Sequence, residues 1–117
     1  MLGKKDSQGR FFDHYVYGNH IPQRHELVKI HEEVDFSFVE EETRDLYEEA
    51  MGRPSWPPEV LFRMLFLEYY STLSDVQVSG QCVYNMLYRW FVGLEVGEAT
   101  PDDTTLVVFR KRLGQER

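Results

Sequence analysis

Residues 59–73 read Glu59-Val60-Leu61-Phe62-Arg63-Met64-Leu65-Phe66-Leu67-Glu68-Tyr69-Tyr70-Ser71-Thr72-Leu73. Wound as a helix, this stretch is apolar almost all round, interrupted only by Glu59, Arg63 and Glu68. A helix that apolar must be buried on most of its sides. The spacing therefore predicts a central helix, with Val60, Leu61, Met64, Leu65, Leu67 and Tyr69 crowding every face but one. Upstream, Gly52-Arg53-Pro54-Ser55-Trp56-Pro57-Pro58 breaks the chain, and two of its prolines directly precede the new periodic segment. Downstream, Ser74-x-x-Gln77 has the form of a capping box and opens a helix through Val76, Val78 and Val83, which Gly80 weakens by about 1 kcal/mol relative to Ala.

Beyond these flanks the pattern stays helical. Asn85 to Val92 is an aromatic helix closed by Gly93 in the manner of a C-terminal cap, with Arg89 as its expected exposed member. After the loop Glu95–Pro101, Asp102 or Asp103 caps a last helix carrying Leu106, Phe109, Arg110 and Leu113 at helical spacing. On the N-terminal side, Leu27, Ile30, His31 and Val34 share one helix face. Asp35 and Ser37 are cap residues, Ser37-x-x-Glu40 reads as a further capping box, and Phe36, Val39, Thr43, Leu46 and Tyr47 line one side of the helix that follows. Residues 1–23 read as an extended arm, because Gly3, Gly9, Gly18 and Pro22 interrupt the aromatic pairs Phe11-Phe12 and Tyr15/Tyr17. Val107 lies in the one β-leaning run, Leu106 to Phe109, but its flanks favour helix. The fold class is all-α: an extended arm over 1–23, then a compact multi-helix domain over 24–117 with a helix-turn-helix-like C-terminal half.

A chain of 117 residues is one domain by length and buries roughly two thirds of its unfolded surface. Eight Phe, seven Tyr and two Trp exclude disorder as the main state. The charged first ten residues exclude a signal peptide, and no apolar run is long enough to span a membrane. Cys82 stands alone, which excludes a disulfide framework and fits a reducing cytoplasm. The net charge of −7 is unevenly spread: residues 26–49 hold ten acids against two cations, whereas both ends are mildly basic. Only the ends would welcome a phosphate backbone.

Several constellations have plain structural readings. Glu40, Glu41, Glu42, Asp45, Glu48 and Glu49 splay around one helix and form a solvated face, not a cation site. His14, His20, His25 and His31 have no metal-ligand spacing. Cys82 reads as a small buried residue, and the stretch from Met86 to Phe91 as core. No catalytic or metal-ligating set is visible, and no cofactor is expected in this chain. Two features point to DNA. The C-terminal half places short capped helices in an order suited to groove entry. Its last helix carries Arg110-Lys111-Arg112 after Asp102-Asp103-Thr104-Thr105, so that hydroxyls meet phosphates and arginines reach base edges.

Four strings occur together in order: Met1-Leu2-Gly3-Lys4; Gly52-Arg53-Pro54-Ser55 with Pro58-Glu59-Val60-Leu61; Tyr88-Arg89-Trp90-Phe91-x-Gly93-Leu94; and Pro101-Asp102-x-x-Thr105-Leu106-x-x-Phe109-Arg110-Lys111-Arg112-Leu113. Over essentially the whole chain this resembles the N-terminal helical domain of bacterial insertion-sequence transposases of the DDE type. The resemblance implies a domain that binds double-stranded DNA at the element's terminal inverted repeats and helps assemble the synaptic dimer. It also implies that an RNase H-like catalytic domain, with three acids holding two divalent metals, follows the last helix. The chain stops at Arg117, so it is expected to lack that domain and to be inactive alone. Thr104, Thr105, Arg110, Lys111 and Arg112 are the expected DNA contacts, with Lys4, Lys5 and Arg10 as a loose basic arm. Asp103, Thr104, Val107 and Val108 depart from the family's pattern; an added acid and a lost cation predict weak binding. The alternatives are a protein-interaction (dimerisation) module, or a truncated relic that does not bind DNA. Self-association, or packing against the missing domain, predicts an apolar patch, for which Trp56, Trp90 and Phe91 are candidates.

Overall fold

The computed structural model describes the backbone of residues 7–22, 24–49 and 56–116, and within them the side chains of 14–22, 24–44 and 56–114. Among the described residues there are seven helices and no strand: α1 (Ser7–His20), α2 (Glu26–Glu33), α3 (Phe38–Glu49), α4 (Pro58–Ser71), α5 (Asp75–Tyr84), α6 (Met86–Val92) and α7 (Asp103–Glu116). The fold is all-α, and α4 is its hub. It packs against α3, α5, α6 and α7, as its nearly uniform apolarity requires. Pro58 opens it at a position where the missing N–H costs nothing. Met64 and Leu67 are fully buried and join Leu61, Val78, Cys82, Phe91, Leu106 and Phe109 in the main core. Two expectations for α4 change: Leu65 is only half-buried, and Tyr69 is 90% exposed. With α3, α5, α6 and α7 on its other sides, Tyr69 marks the side that α4 leaves to water.

The caps read from the sequence are largely present. The Ser74 hydroxyl accepts from Gln77 N–H at 3.1 Å while the Gln77 side chain accepts from Ser74 N–H at 2.9 Å, which completes the capping box of α5. Gly93 closes α6 with φ +96°, a conformation in which a Cβ is strained, while Asn85, expected as the first residue of that helix, is instead its cap and accepts from Tyr88 N–H. Asp102 caps α7, accepting from both the N–H and the hydroxyl of Thr105. Ahead of α3, the Asp35 carboxylate accepts from Ser37 N–H at 2.9 Å. Phe36, Val39 and Thr43 are buried as their spacing predicts, while Leu46 and Tyr47 lie outside the described side chains.

The N-terminal segment differs from the extended arm expected. Residues 7–20 form a helix, α1, that packs on α6. Tyr17 and Ile21, one helical turn apart, bury with Val28 in a second, smaller core beside Met86, Leu87 and Trp90. The Tyr17 hydroxyl donates to the Leu94 carbonyl at 2.7 Å. A glycine in a helix interior costs only about 1 kcal/mol relative to Ala, so burying this stripe outweighs the penalties of Gly9 and Gly18.

Candidate nucleic-acid interface

Candidate DNA contacts on α7 follow from how that helix is seated. Leu106 and Phe109 are buried in the core, which fixes the opposite side of the helix toward solvent. Thr104 and Lys111 are exposed and seven residues apart, so they share that outer face, with Val108, 45% exposed, between them. Thr105 is half-buried and its hydroxyl is engaged by Asp102. The hydrogen bonds from Thr105 hold the Asp102 carboxyl below the usual carboxylate range. Arg112 is half-buried. Consecutive helical residues point about 100° apart, so the basic triplet does not present a single surface.

Arg110 is committed within the fold. Its guanidinium pairs with Glu68 on α4, at 3.4 Å, and with Asp75, the first residue of α5. Sequence reasoning missed both acids as partners. Glu68 reads as an interruption in an apolar run, Asp75 follows the capping Ser74, and a helix break lies between them. Of the basic arm, Lys4 and Lys5 lie outside the described residues, as does the side chain of Arg10, although its backbone belongs to α1.

Arg89 departs furthest from expectation. Instead of pointing to solvent it is buried, 5% exposed. One guanidinium nitrogen donates to the Cys82 carbonyl (2.7 Å) and the Thr100 hydroxyl (3.0 Å), and the other to the carbonyls of Glu95 (2.6 Å) and Glu98 (2.5 Å). A planar fork of donors suits a turn of carbonyls that no apolar side chain could satisfy. Aromatic spacing gave no sign of this.

The remaining candidates resolve simply. Cys82 is fully buried, and burial pushes its thiol up to about 12, out of the range of a nucleophile at ordinary pH. His25 caps α2, its Nδ1 accepting from Leu27 N–H at 3.0 Å. His31 stacks on Trp90 at 4.2 Å between centroids, and burial lowers its pKa. Glu41 and Glu42 are exposed, as a solvated face requires. Among the described residues no group of three His, Cys, Asp or Glu is placed to hold a metal ion, and no helix is long and apolar enough to cross a membrane. The expected apolar patch is not where the aromatics suggested: Phe91 is fully buried, and Trp56 and Trp90 are half-buried. The exposed apolar side chains include Val76, Val83 and Tyr84 on α5.

A family model described as a transposase domain, DUF772, matches residues 15–112. The chain belongs to this family. The match runs from α1 through the basic triplet of α7, so the whole core of the transposase domain and both arginine sites lie inside it. No curated protein and no solved structure matches the chain.

Proposed function

We propose that this transposase domain binds double-stranded DNA at the terminal inverted repeats of an insertion sequence and helps assemble the transposition complex, in the cytoplasm and without chemistry or cofactor of its own. The observation that carries the reading is the position of α7: a capped helix whose residues 103–112 fall in the matched region, with Thr104 and Lys111 on its outer face. Thr104 and Lys111 contact phosphate from that face, Thr105 and Arg112 flank it, and α5, α6 and α7 are the helix-turn-helix-like unit. Lys4, Lys5 and Arg10 add basic charge to the contact. The acids of residues 26–49 repel phosphate, so binding is weak and confined to the α7 side.

Fluorescence anisotropy with duplex carrying the parent element's terminal repeat tests this. Two to four neutralised phosphates give a log–log salt slope of about −2 to −4. Lys111→Ala with Arg112→Ala removes about half of that slope or more; equal slopes for variant and wild type refute α7 as the contact. The assembly half of the reading favours a second copy on the outer face of α5, where Val76 is 65% and Val83 58% exposed. Sedimentation showing a monomer at all concentrations, on and off DNA, refutes it.

A further inference from the structure

We propose that Glu68 and Asp75 form a clamp on Arg110 that fixes α7 against α4 and α5, making Arg110 a positioning residue for the terminal helix rather than a contact to nucleic acid. The second half of this rests on the DNA reading above; the clamp itself stands on intramolecular geometry. Arg110 reaches residues 42 and 35 positions away in sequence, one on each of two other helices. All three helices also pack on one another through the main core, so the ion pairs set orientation where apolar contact alone permits sliding. Asp75 sits in the first turn of α5, where the helix dipole favours a carboxylate.

The clamp carries two carboxylates and one guanidinium. Oxygen Oε2 of Glu68 is buried and lacks a hydrogen-bond partner, so the ionised form of Glu68 is under-satisfied while one cation serves two acids. Adding a proton to Glu68 leaves Asp75 and Arg110 as a balanced pair. Burial, then the hydrogen bond and negative charge of Asp75, push the Glu68 carboxyl up to about 7 against the pull of Arg110, while the same cluster holds Asp75 low. Asp75 and Arg110 are the charged groups that act on Glu68. Glu59 and Arg63 on α4 pair with each other at 2.7 Å, α5 has no charge besides Asp75, and α7 adds Asp103 in its first turn, Lys111 and Arg112 next to Arg110 in sequence, and Glu116 as its last residue. A carboxyl raised from 4.5 to about 7 by folding binds its proton more tightly in the folded state. Its contribution to stability is complete below 4.5 and is lost as pH rises through about 7.

The experiment compares wild type with Glu68→Gln, which keeps the shape and removes the titration. Urea unfolding of the full chain at pH 5 and pH 8 is expected to show the wild-type unfolding constant rising more than that of Glu68→Gln, by about tenfold to about seventyfold. Superimposable pH profiles overturn the clamp. The second arm measures the salt slope of duplex binding. Lys111→Ala should lower its magnitude by about 0.9, whereas Arg110→Ala should weaken binding with the slope unchanged. A drop of about 0.9 for Arg110→Ala overturns the positioning role. If no form binds duplex, the DNA reading fails, and the pH profiles alone decide the clamp.

Discussion

Arg89 and Arg110 each tie separate segments of the chain together, and they do so with different acceptors. Arg89 closes the corner between α6 and α7: it is buried, and its guanidinium donates to three backbone carbonyls and one hydroxyl. Arg110 closes the junction of α4, α5 and α7: its side chain is 46% exposed and its partners are two carboxylates. Carbonyl and hydroxyl acceptors do not titrate, so the corner holds at any pH at which the chain folds. Carboxylates do titrate, and water screens a half-exposed pair, so the junction is weaker and answers to pH. The same residue type serves as a fixed staple in one place and an adjustable one in the other.

The contrast is open to direct attack. Arg89→Ala removes four hydrogen bonds from a closed corner in which only the Glu95 and Cys82 carbonyls keep another donor, the Glu98 N–H and the Thr100 hydroxyl, and the expected loss is about 3–5 kcal/mol, since a buried acceptor left unpaired costs about 1–3 kcal/mol. Chemical denaturation measures it, and the wild-type pH dependence between pH 5 and 8 should survive in any part of the variant that folds. A loss under about 1 kcal/mol means that water replaces the guanidinium freely, and the corner is then no staple. Arg110→Ala should cost no more than about 1 kcal/mol near neutral pH, as expected for a screened, half-exposed ion pair. It should also extend the pH dependence upward, because Glu68 and Asp75 then face each other with no cation between them. A cost above about 2 kcal/mol erases the distinction between the two sites.

The smallest effect concerns the link inside the junction. Thr72 ends α4 in the left-handed region, φ 56° and ψ 54°, the one described non-glycine residue with positive φ. Such a conformation costs a β-carbon residue about 1 kcal/mol or more. Thr72→Gly relieves it but frees the unfolded chain, so the net gain is a few tenths to about 1 kcal/mol. Thermal unfolding reads this as a rise of a few degrees at most; a fall shows that the threonine side chain contributes more than its backbone strain costs.

Most of the architecture was legible because it is local. Apolar periodicity placed α4 at the centre, and the cap residues Ser74, Gly93 and Asp102 each do at the helix ends what their chemistry predicts. A cap is an interaction across three or four residues, so a single sequence contains both halves of it. The N-terminal helix was hidden because its own glycines argue against it, and the surface that Tyr17 and Ile21 bury against belongs to residues far along the chain. The fates of the arginines were hidden for the same reason. Nothing near Arg89 in sequence marks it as buried, and nothing near Arg110 names Glu68.

The chain by itself determined helix class and, from α2 onward, helix order, since each rests on spacing within a turn or two. It also carried the likeness to the transposase domains that the family match then showed. Folding in three dimensions determined which charges survive at the surface. The same triplet that reads as three DNA-facing cations holds one residue turned to solvent, Lys111, one half-buried, Arg112, and one clamped to acids, Arg110. Electrostatic partners are chosen by distance in space, and two carboxylates 35 and 42 residues away are nearer to Arg110 than sequence order can express.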